Sequence, residues 1–251
     1  MNDAEMLENA CADAWPALID LPLGQWRLRA AAGFTGRANA ALATGDPGTS
    51  LPRALRRTCE FAHANGIRPV VQILDGSATE RALAAAGWVH HTGHPAGYEV
   101  SVLLGPPTQP DATGDGKGNG GVTVAEVPSD PWWELVAGTT SPGTAQRHVL
   151  AGGRAPVGFA TARSGAETVG AARGAVVGDL LHVARLTVLP AHRRRGLGTE
   201  LMNGLGRWAA RHGATRCVLQ VETNNATALA LYRGLGFTEH HRYRYWIPAN
   251  T

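Results

Sequence analysis

The chain has 251 residues, 44% of them hydrophobic, and a formal net charge of +3. That suits one large domain or two small ones, and no run of about 18 apolar residues predicts a membrane span. The acidic start, Met1-Asn-Asp-Ala-Glu-Met-Leu-Glu8, lacks the basic region of a secretory signal. Three widely spaced cysteines, Cys11, Cys59 and Cys217, make neither a disulfide framework nor a Cys-x-x-Cys metal pair. The expectation is a cytoplasmic protein without a bound metal. Its basic side chains are 22 arginines and the single Lys117, a bias that points to a GC-rich genome more than to a function.

In chain order, residues 26–39 are polar and glycine-rich, unlike a core strand or helix. Residues 58–66 predict a helix ended by Gly66, residues 68–74 a buried strand, and residues 78–86 a helix stopped at Gly87-Trp88. His90, His91 and His94 have no carboxylate or thiol at ligand spacing, so no zinc site is expected. Residues 105–121 hold six glycines, three prolines and no large apolar side chain. They cannot bury enough surface to offset their ordering entropy and predict a flexible linker; a long functional loop is the competing reading. The expected domains are therefore 1–104 and 122–251. Residues 1–121 carry 9 basic and 12 acidic side chains and residues 122–251 carry 14 and 8, so an anionic ligand is expected on the second half.

Past the linker, Ser129 is a helix N-cap before Pro131-Trp132-Trp133, and the tryptophan pair is expected at an inter-domain or lid contact. Residues 180–188 are a β-branched-rich strand closed by Pro190. Residues 200–212 have apolar side chains at helical spacing. A strand at 216–222 and a helix at 226–235 follow, then a strand at 240–246 with His241, Tyr243 and Tyr245 on one face. That face either lines an acceptor pocket or packs. Helix, strand and helix thus occur in the same order in both halves, which reads as a weak internal repeat.

The segment Ala191-His-Arg-Arg-Arg-Gly-Leu-Gly-Thr199 joins the first of these strands to its helix. First-turn amides of a helix have no intrahelical partners, and the dipole favours an anion there. Gly196 and Gly198 let a phosphate approach the backbone, and Arg193, Arg194 and Arg195 add charge-assisted donors. The residues say "phosphate binder" without saying which phosphate. A solvated basic turn or a nucleic-acid contact is the alternative, though no aromatic stacking platform accompanies the run.

Arg193-x-x-Gly196-x-Gly198 after Leu186-Thr-Val188, joined by Asn225-Ala-Thr-Ala-Leu-Ala-Leu-Tyr232-Arg-Gly-Leu-Gly236-Phe237, resembles the GNAT superfamily of acetyl-CoA-dependent N-acetyltransferases. The resemblance covers about 122–251, is sharpest over 180–240 and extends faintly to 51–104. That first half has no Arg-x-x-Gly-x-Gly and no counterpart of Tyr232, so it resembles a degenerate GNAT half, as in two-domain actinobacterial members. The implied fold is α/β (α+β), a mixed twisted sheet with splayed fourth and fifth strands, preceded by the partial GNAT-like half.

The resemblance implies direct acetyl transfer from acetyl-CoA to a primary amine, with no metal, no nucleic acid and no membrane partner. A homodimer stays open, and a non-catalytic CoA-binding regulator is the alternative reading. It implies pyrophosphate on the amides of Arg194, Arg195, Gly196, Leu197, Gly198 and Thr199, supported by Arg193. It places pantetheine along Leu186, Thr187 and Val188, with Asn225 contacting it. Tyr232 would be the acid for the departing thiolate. His182, counted by strand alternation onto the face of Leu186 and Val188, is the first candidate base, and Glu222 the second. The hypothesis for the first half is that Arg37 and Asn39 reach the acceptor. Self-acetylation, if it occurs, is expected at Lys117 or the N-terminus.

Overall fold

A computed structural model describes residues 2–107 and 121–249; most of the expected linker, with Lys117, lies outside the described residues. In chain order the elements are α1 (Asp3–Ala14), β1 (Ile19–Leu23), β2 (Trp26–Ala30), β3 (Ala41–Ala43), α2 (Leu51–Ala64), β4 (Val71–Leu74), α3 (Ala78–Ala85), β5 (Trp88–His90) and β6 (Glu99–Gly105). There follow β7 (Val122–Ala125), α4 (Asp130–Ala137), α5 (Thr144–Ala151), β8 (Val157–Ser164), β9 (Glu167–Val177), β10 (Leu180–Val188), α6 (Leu197–Ala210), β11 (Arg216–Glu222), α7 (Ala226–Gly234) and β12 (Thr238–Pro248). Two compact units result. One takes Met1–Val102, Gln220–Ala226 and Glu239–Thr251; the other takes Leu103–Leu219 and Thr227–Thr238. The chain therefore changes unit four times, within β6, β11, α7 and β12.

In the first unit, β1 and β2 form an antiparallel hairpin, β2 pairs antiparallel with β3, and β3 runs parallel to β4. β12 returns from the far end of the sequence to pair antiparallel with β4, Tyr243 opposite Leu74 and Trp246 opposite Val71, and also with β5. The core is apolar side chains of these strands and of α2 and α3, including Trp26, Leu55, Ile73, Leu83 and Trp246. Residues 26–30 thus form a core strand, contrary to the polar reading of this stretch. Trp26, Leu28 and Ala30 are buried and so is Arg29, whose charge hides the apolar alternation. Arg29 donates from Nη1 to Arg37 O and from Nη2 to Ala12 O and Trp15 O, with Asp20 Oδ2 3.4 Å from its Nε, and burial lowers its pKa to about 10.

In the second unit, the order is β7-β8-β9-β10-β11, antiparallel until the parallel β10–β11 pair. Gly158, Gly170 and Gly174 give α6 a floor without side chains: Cβ atoms there would meet Trp208, Leu201 and Leu205. On the other face, Trp132 sets its edge on Phe159, 4.8 Å between centroids, and donates to Ala172 O at 3.0 Å. Trp132 is fully buried, so the tryptophan pair is core of this unit rather than a lid. Ser129 caps α4 as its sequence predicts.

Two stretches of the chain each contain a strand, a helix, a strand parallel to the first, another helix and a further strand. These are β3-α2-β4-α3-β5 and β10-α6-β11-α7-β12. A parallel pair needs such a crossover, and a helix supplies it. Because the Gly174 floor fixes how closely α6 approaches, Gly174→Ala forces a Cβ to 2.9 Å from Leu205 Cδ2 and 3.0 Å from Leu181 Cδ1. Overpacking of this kind costs about 1–3 kcal/mol. A urea melt of the variant is expected to show a lower midpoint with an unchanged slope.

Candidate active site

β10 is buried from Leu180 to Ala184 and then rises to the surface. The change is a bulge. Ala184 pairs with Arg173 and Thr187 with Ala171, so β10 spends three steps where β9 spends two. Arg185 sits at φ +57° to make this possible, a conformation uncommon for a residue with a Cβ. Pairing of β10 with β11 runs from Leu180–Arg216 to Val183–Leu219 and stops there among the described residues. Ala184–Val188 therefore continues without a β11 partner, which is the splay of the fourth and fifth strands.

The extra residue also resets which side chains share a face. His182, Ala184 and Thr187 lie on one face; Leu181, Val183, Leu186 and Val188 lie on the other, toward α6. The sequence alternation had placed His182 with Leu186 and Val188, and the bulge overturns that placement. His182 is fully buried, beside the face that carries Arg173, whose Nε donates to Leu150 O.

After β10 comes a tight 3-10 turn, Pro190–His192, then Arg193 to Gly196. Arg194 (φ +62°) and Gly196 (φ +82°) both adopt left-handed backbone. Arg193 folds back, its Nε donating to Val188 O at 3.0 Å, and so ties the turn to the end of the strand. Gly196 is the N-cap of α6 and supplies no side-chain cap, and Glu200 N–H reaches Gly196 O at 3.0 Å. The amides of Leu197, Gly198 and Thr199 are first-turn donors without intrahelical acceptors. Arg193, Arg194 and Arg195 are all exposed around them. An anion fits here on both counts: amides in a nest and an uncapped helix dipole. Gly198 has a second reason to lack a side chain, since a Cβ would lie 3.2 Å from Leu231 Cδ2 and 3.8 Å from Leu186 Cδ2. The strand end, the α6 start and α7 are thereby brought together.

α7 carries Tyr232 one residue beyond Leu231. The ring is 7% exposed and meets Phe237 edge-on at 5.9 Å. Burial, with a smaller contribution from the Cys217 thiol, raises its pKa to about 12. The hydroxyl is therefore held protonated at neutral pH, the state a proton donor needs. Cys217, buried in β11, has its thiol pushed up by burial alone, which makes it a poor nucleophile.

In the first unit, Glu222 lies across Gly97, where a Cβ would sit 2.3 Å from Glu222 Cγ. Asn225 is exposed, and its N–H donates to Glu222 O at 3.0 Å. Asn39 does not reach outward as the sequence hypothesis had it. Its Oδ1 accepts from Ala31 and Gly33 N–H, and its Nδ2 donates to Phe34 and Thr35 O, so the amide is spent on its own loop. Arg37 stacks over Trp15 at 4.7 Å and donates to Gln220 Oε1. Gln220 and Glu8, its carboxylate partner, carry no motif and escape sequence reading. Tyr243 and Tyr245 are buried, hydroxyls 3.4 Å apart, which answers their open reading in favour of packing.

The turn of the first unit that corresponds to 189–196 joins β3 to α2. It contains no arginine, and three of its amides are taken by acidic and amide side chains. Gly45 N–H donates to Glu5 Oε1, Asp46 N–H to Gln25 Oε1, and Gly48 N–H to Asp46 Oδ1. Internal carboxylates thus hold two of these three amides.

A splayed parallel pair followed by an arginine–glycine turn at an uncapped helix is the arrangement of the GNAT fold, and solved structures agree. The chain superposes on a GCN5-related N-acetyltransferase from Kribbella flavida with a TM-score of 0.69, at 18% identity, covering 100% of this chain and 97% of that one. It superposes on a tandem GNAT protein from the clavulanic acid biosynthesis pathway with a TM-score of 0.64, at 14% identity over 82% and 74% of the two chains. Among curated relatives it is 33% identical over 132 residues to the mycothiol acetyltransferase of a Nocardioides strain, 48% of this chain and 41% of that protein. It is 36% identical over 73 residues to the Escherichia coli K12 enzyme named [ribosomal protein bS18]-alanine N-acetyltransferase, 29% of this chain and 49% of that one. The matched region thus spans less than half of each of these relatives. The chain belongs to the family whose model, described as "Probable histone acetyltransferase Rv0428c C-terminal", matches residues 2–246. Its fold is the GNAT fold. Among the described residues no helix is long and apolar enough to cross a membrane.

Burial of Tyr232 couples stability to alkaline pH. Its folded pKa, about 12, lies above the ordinary tyrosine value of 10.0, so the contribution is whole below pH 10 and is lost as pH rises toward 12. Chemical denaturation between pH 9 and 12 is therefore expected to show a shallower loss of stability in Tyr232→Phe than in the wild type.

Proposed function

We propose that this protein moves acetyl from acetyl-CoA to a primary amine by direct attack, without an acyl-enzyme. The observation that carries the proposal is the bulged, unpaired end of β10 leading into the Arg193–Gly196 turn at the uncapped α6. The turn amides from Arg194 to Thr199 and the three arginines suit a pyrophosphate. The main chain of Leu186, Thr187 and Val188, left without a β11 partner, suits an extended arm that adds itself as a strand. Asn225 is assigned to the same arm. When bound, acetyl-CoA supplies an activated acyl group and a thiolate leaving group.

The chain's own residues then position and exchange protons. Tyr232, kept neutral by burial, donates to the departing sulfur. Main-chain amides near Val188 polarise the carbonyl. Glu222 and the fully buried His182 are the side-chain candidates for a base. The first unit is read as a degenerate GNAT half whose anion turn has been filled by Glu5 and Asp46. The acceptor is a primary amine; the relatives' names, which mention histone, mycothiol and a ribosomal-protein alanine, define the panel to try.

Thiol release from acetyl-CoA, followed with lysine peptides, peptide N-termini and small amines, is expected with at least one acceptor, and its absence throughout overturns the proposal. Tyr232→Phe is expected to lower kcat by about 100-fold or more, the usual scale of general acid catalysis, with the KM for acetyl-CoA nearly unchanged. Gly196→Ala places a Cβ at φ +82°, a strain of about 1–2 kcal/mol. Isothermal titration with CoA is expected to show roughly tenfold weaker binding for that variant.

A further inference from the structure

Residues 91–98 form a short strap in the first unit, between β5 and β6, and both of its ends are tied to one residue of β12. His91 N–H donates to Tyr245 O, and Tyr245 N–H donates to Tyr98 O, each at 2.8 Å. Ends held this close make a compact loop packed by its own side chains. Within it, His94 N–H reaches His91 O at 2.9 Å and Gly97 N–H reaches His94 O at 3.0 Å. His91 is buried at one hinge, whereas Thr92, Gly93, Pro95 and Ala96 are exposed.

His94 is the side chain that closes the strap. Its ring stacks on the buried Tyr245 ring, 4.3 Å between centroids, and its edge lies against Gly36, where a Cβ would be 2.1 Å from Nε2. Its Nδ1 accepts from Ala96 N–H at 3.2 Å. Only the neutral imidazole has such an acceptor, since the cation carries a hydrogen on both nitrogens. A proton on Nδ1 would face the Ala96 hydrogen, so charging the ring breaks the bond that holds it in place. Gly97 (φ +74°) lies on Glu222: a Cβ there would be 2.3 Å from Glu222 Cγ and 2.5 Å from Cδ and Oε1. The closed strap therefore covers one side of that carboxylate.

The surroundings oppose a charge on the ring as well. The titratable and charged groups about it are His91, edge-on at 5.3 Å, Tyr245 of β12, Arg68 beside His91, Glu222 beyond Gly97, and Arg37, which follows Gly36 and stacks over Trp15. Burial lowers the pKa of His94 below the ordinary 6.5, against a main-chain hydrogen bond at Gly97 that raises it. Burial, Arg68 and His94 together lower that of His91. Since the folded values lie below 6.5, closure is whole above pH 6.5 and is lost as pH falls through those lower values. With four exposed residues among 92–97, the strap is the kind of segment that opens without the rest of its unit.

We infer that residues 91–98 are a pH-operated strap, closed over Glu222 while His94 is neutral and opened when its ring takes a proton. Protonation removes the acceptor at Nδ1, the ring leaves Tyr245 and Gly36, and Gly97 lifts from Glu222 about the two Tyr245 hinges. The proton comes from solvent and returns to it, so the strap needs no other reactant. It acts within the first unit and does not depend on the acetyl-transfer reading. What it sets is the pH at which the Glu222 carboxylate is open to solvent.

The test follows amide exchange of the strap in the full chain from pH 5 to 8, corrected for the intrinsic pH dependence of exchange, beside the NMR titration of His94. The His94 midpoint is expected below 6.5. Protection of Gly97 N–H is expected to fall by up to about tenfold per pH unit as pH drops from 6.5 toward that midpoint. His94→Asn keeps an acceptor for the amide two residues on and does not titrate in this range, so its strap is expected to stay protected at pH 5. Gly36→Ala displaces the ring and is expected to exchange fast at both ends of the range. At pH 5.5, carbodiimide with an amine is expected to label Glu222, relative to the exposed Glu126, at least about threefold faster in wild type than in His94→Asn. A midpoint at or above 6.5, or strap exchange that ignores the His94 titration, overturns the inference. So does a folded His94→Asn that opens on acidification as the wild type does, a Gly36→Ala strap as protected as wild type, or equal labelling of Glu222.

Discussion

A strand that inserts one residue against its neighbour cannot keep both neighbours in register. In β10 that residue is accommodated at Arg185, with φ +57°, and much of the second unit's working end follows from it. Pairing with β9 survives by slipping one step. Pairing with β11 does not survive, and ends at Val183. The end of β10 then keeps β9 as its paired strand, without β11 on the other side. The same slip carries Leu186 and Val188 onto the α6 side and leaves His182 on the other. Strained backbone of this kind persists only where the surroundings over-determine it. Here the glycine floor under α6, the Arg193 tie to Val188 O and the Gly198–Leu231 contact all hold the ends of the bulge in place.

The two crossover turns show how one backbone plan is opened or closed by side chains. After β10, two left-handed residues and an uncapped helix leave amides facing outward among arginines. After β3, the amides of Gly45, Asp46 and Gly48 are consumed by Glu5, Gln25 and Asp46. A carboxylate or amide oxygen a few ångströms from its donors forms the same hydrogen bonds as a phosphate oxygen, with no ligand to release. The first unit thus keeps the strand–helix–strand frame without the anion site. It uses polar groups differently, burying Glu8, Gln72 and Asn39 in hydrogen bonds to groups of the same unit. Leaving such groups unpaired would cost several times what a satisfied bond contributes, so this packing fixes their geometry tightly.

Much of this was legible without coordinates. The apolar spacing of 200–212, the β-branched run of 180–188 and the glycines at 196 and 198 are local signals, and local backbone preference is enough to define them. The acetyltransferase family could be recognised because its two motifs are contiguous in sequence. What failed had a common cause. Arg29 hid the β2 alternation because a buried arginine donates to carbonyls that lie 8, 14 and 17 residues away. Trp132 looked like a lid because its partners, Phe159 and Ala172, belong to distant strands. Asn39 looked like a ligand contact because a loop's own carbonyls and amides have no sequence signature.

By itself the sequence determined the class of fold and the elements from β10 to α7, since these rest on periodicity, glycine placement and charge within a few residues. Only the tertiary structure decided which face His182 occupies, because alternation counts from a register and the bulge resets it. It alone also gathered Asp3, Glu8, His240, His241 and Gln220. Asp3 and Glu8 lie more than 200 positions from Gln220, His240 and His241 along the chain, and β12, which carries the two histidines, crosses back to pair with β4.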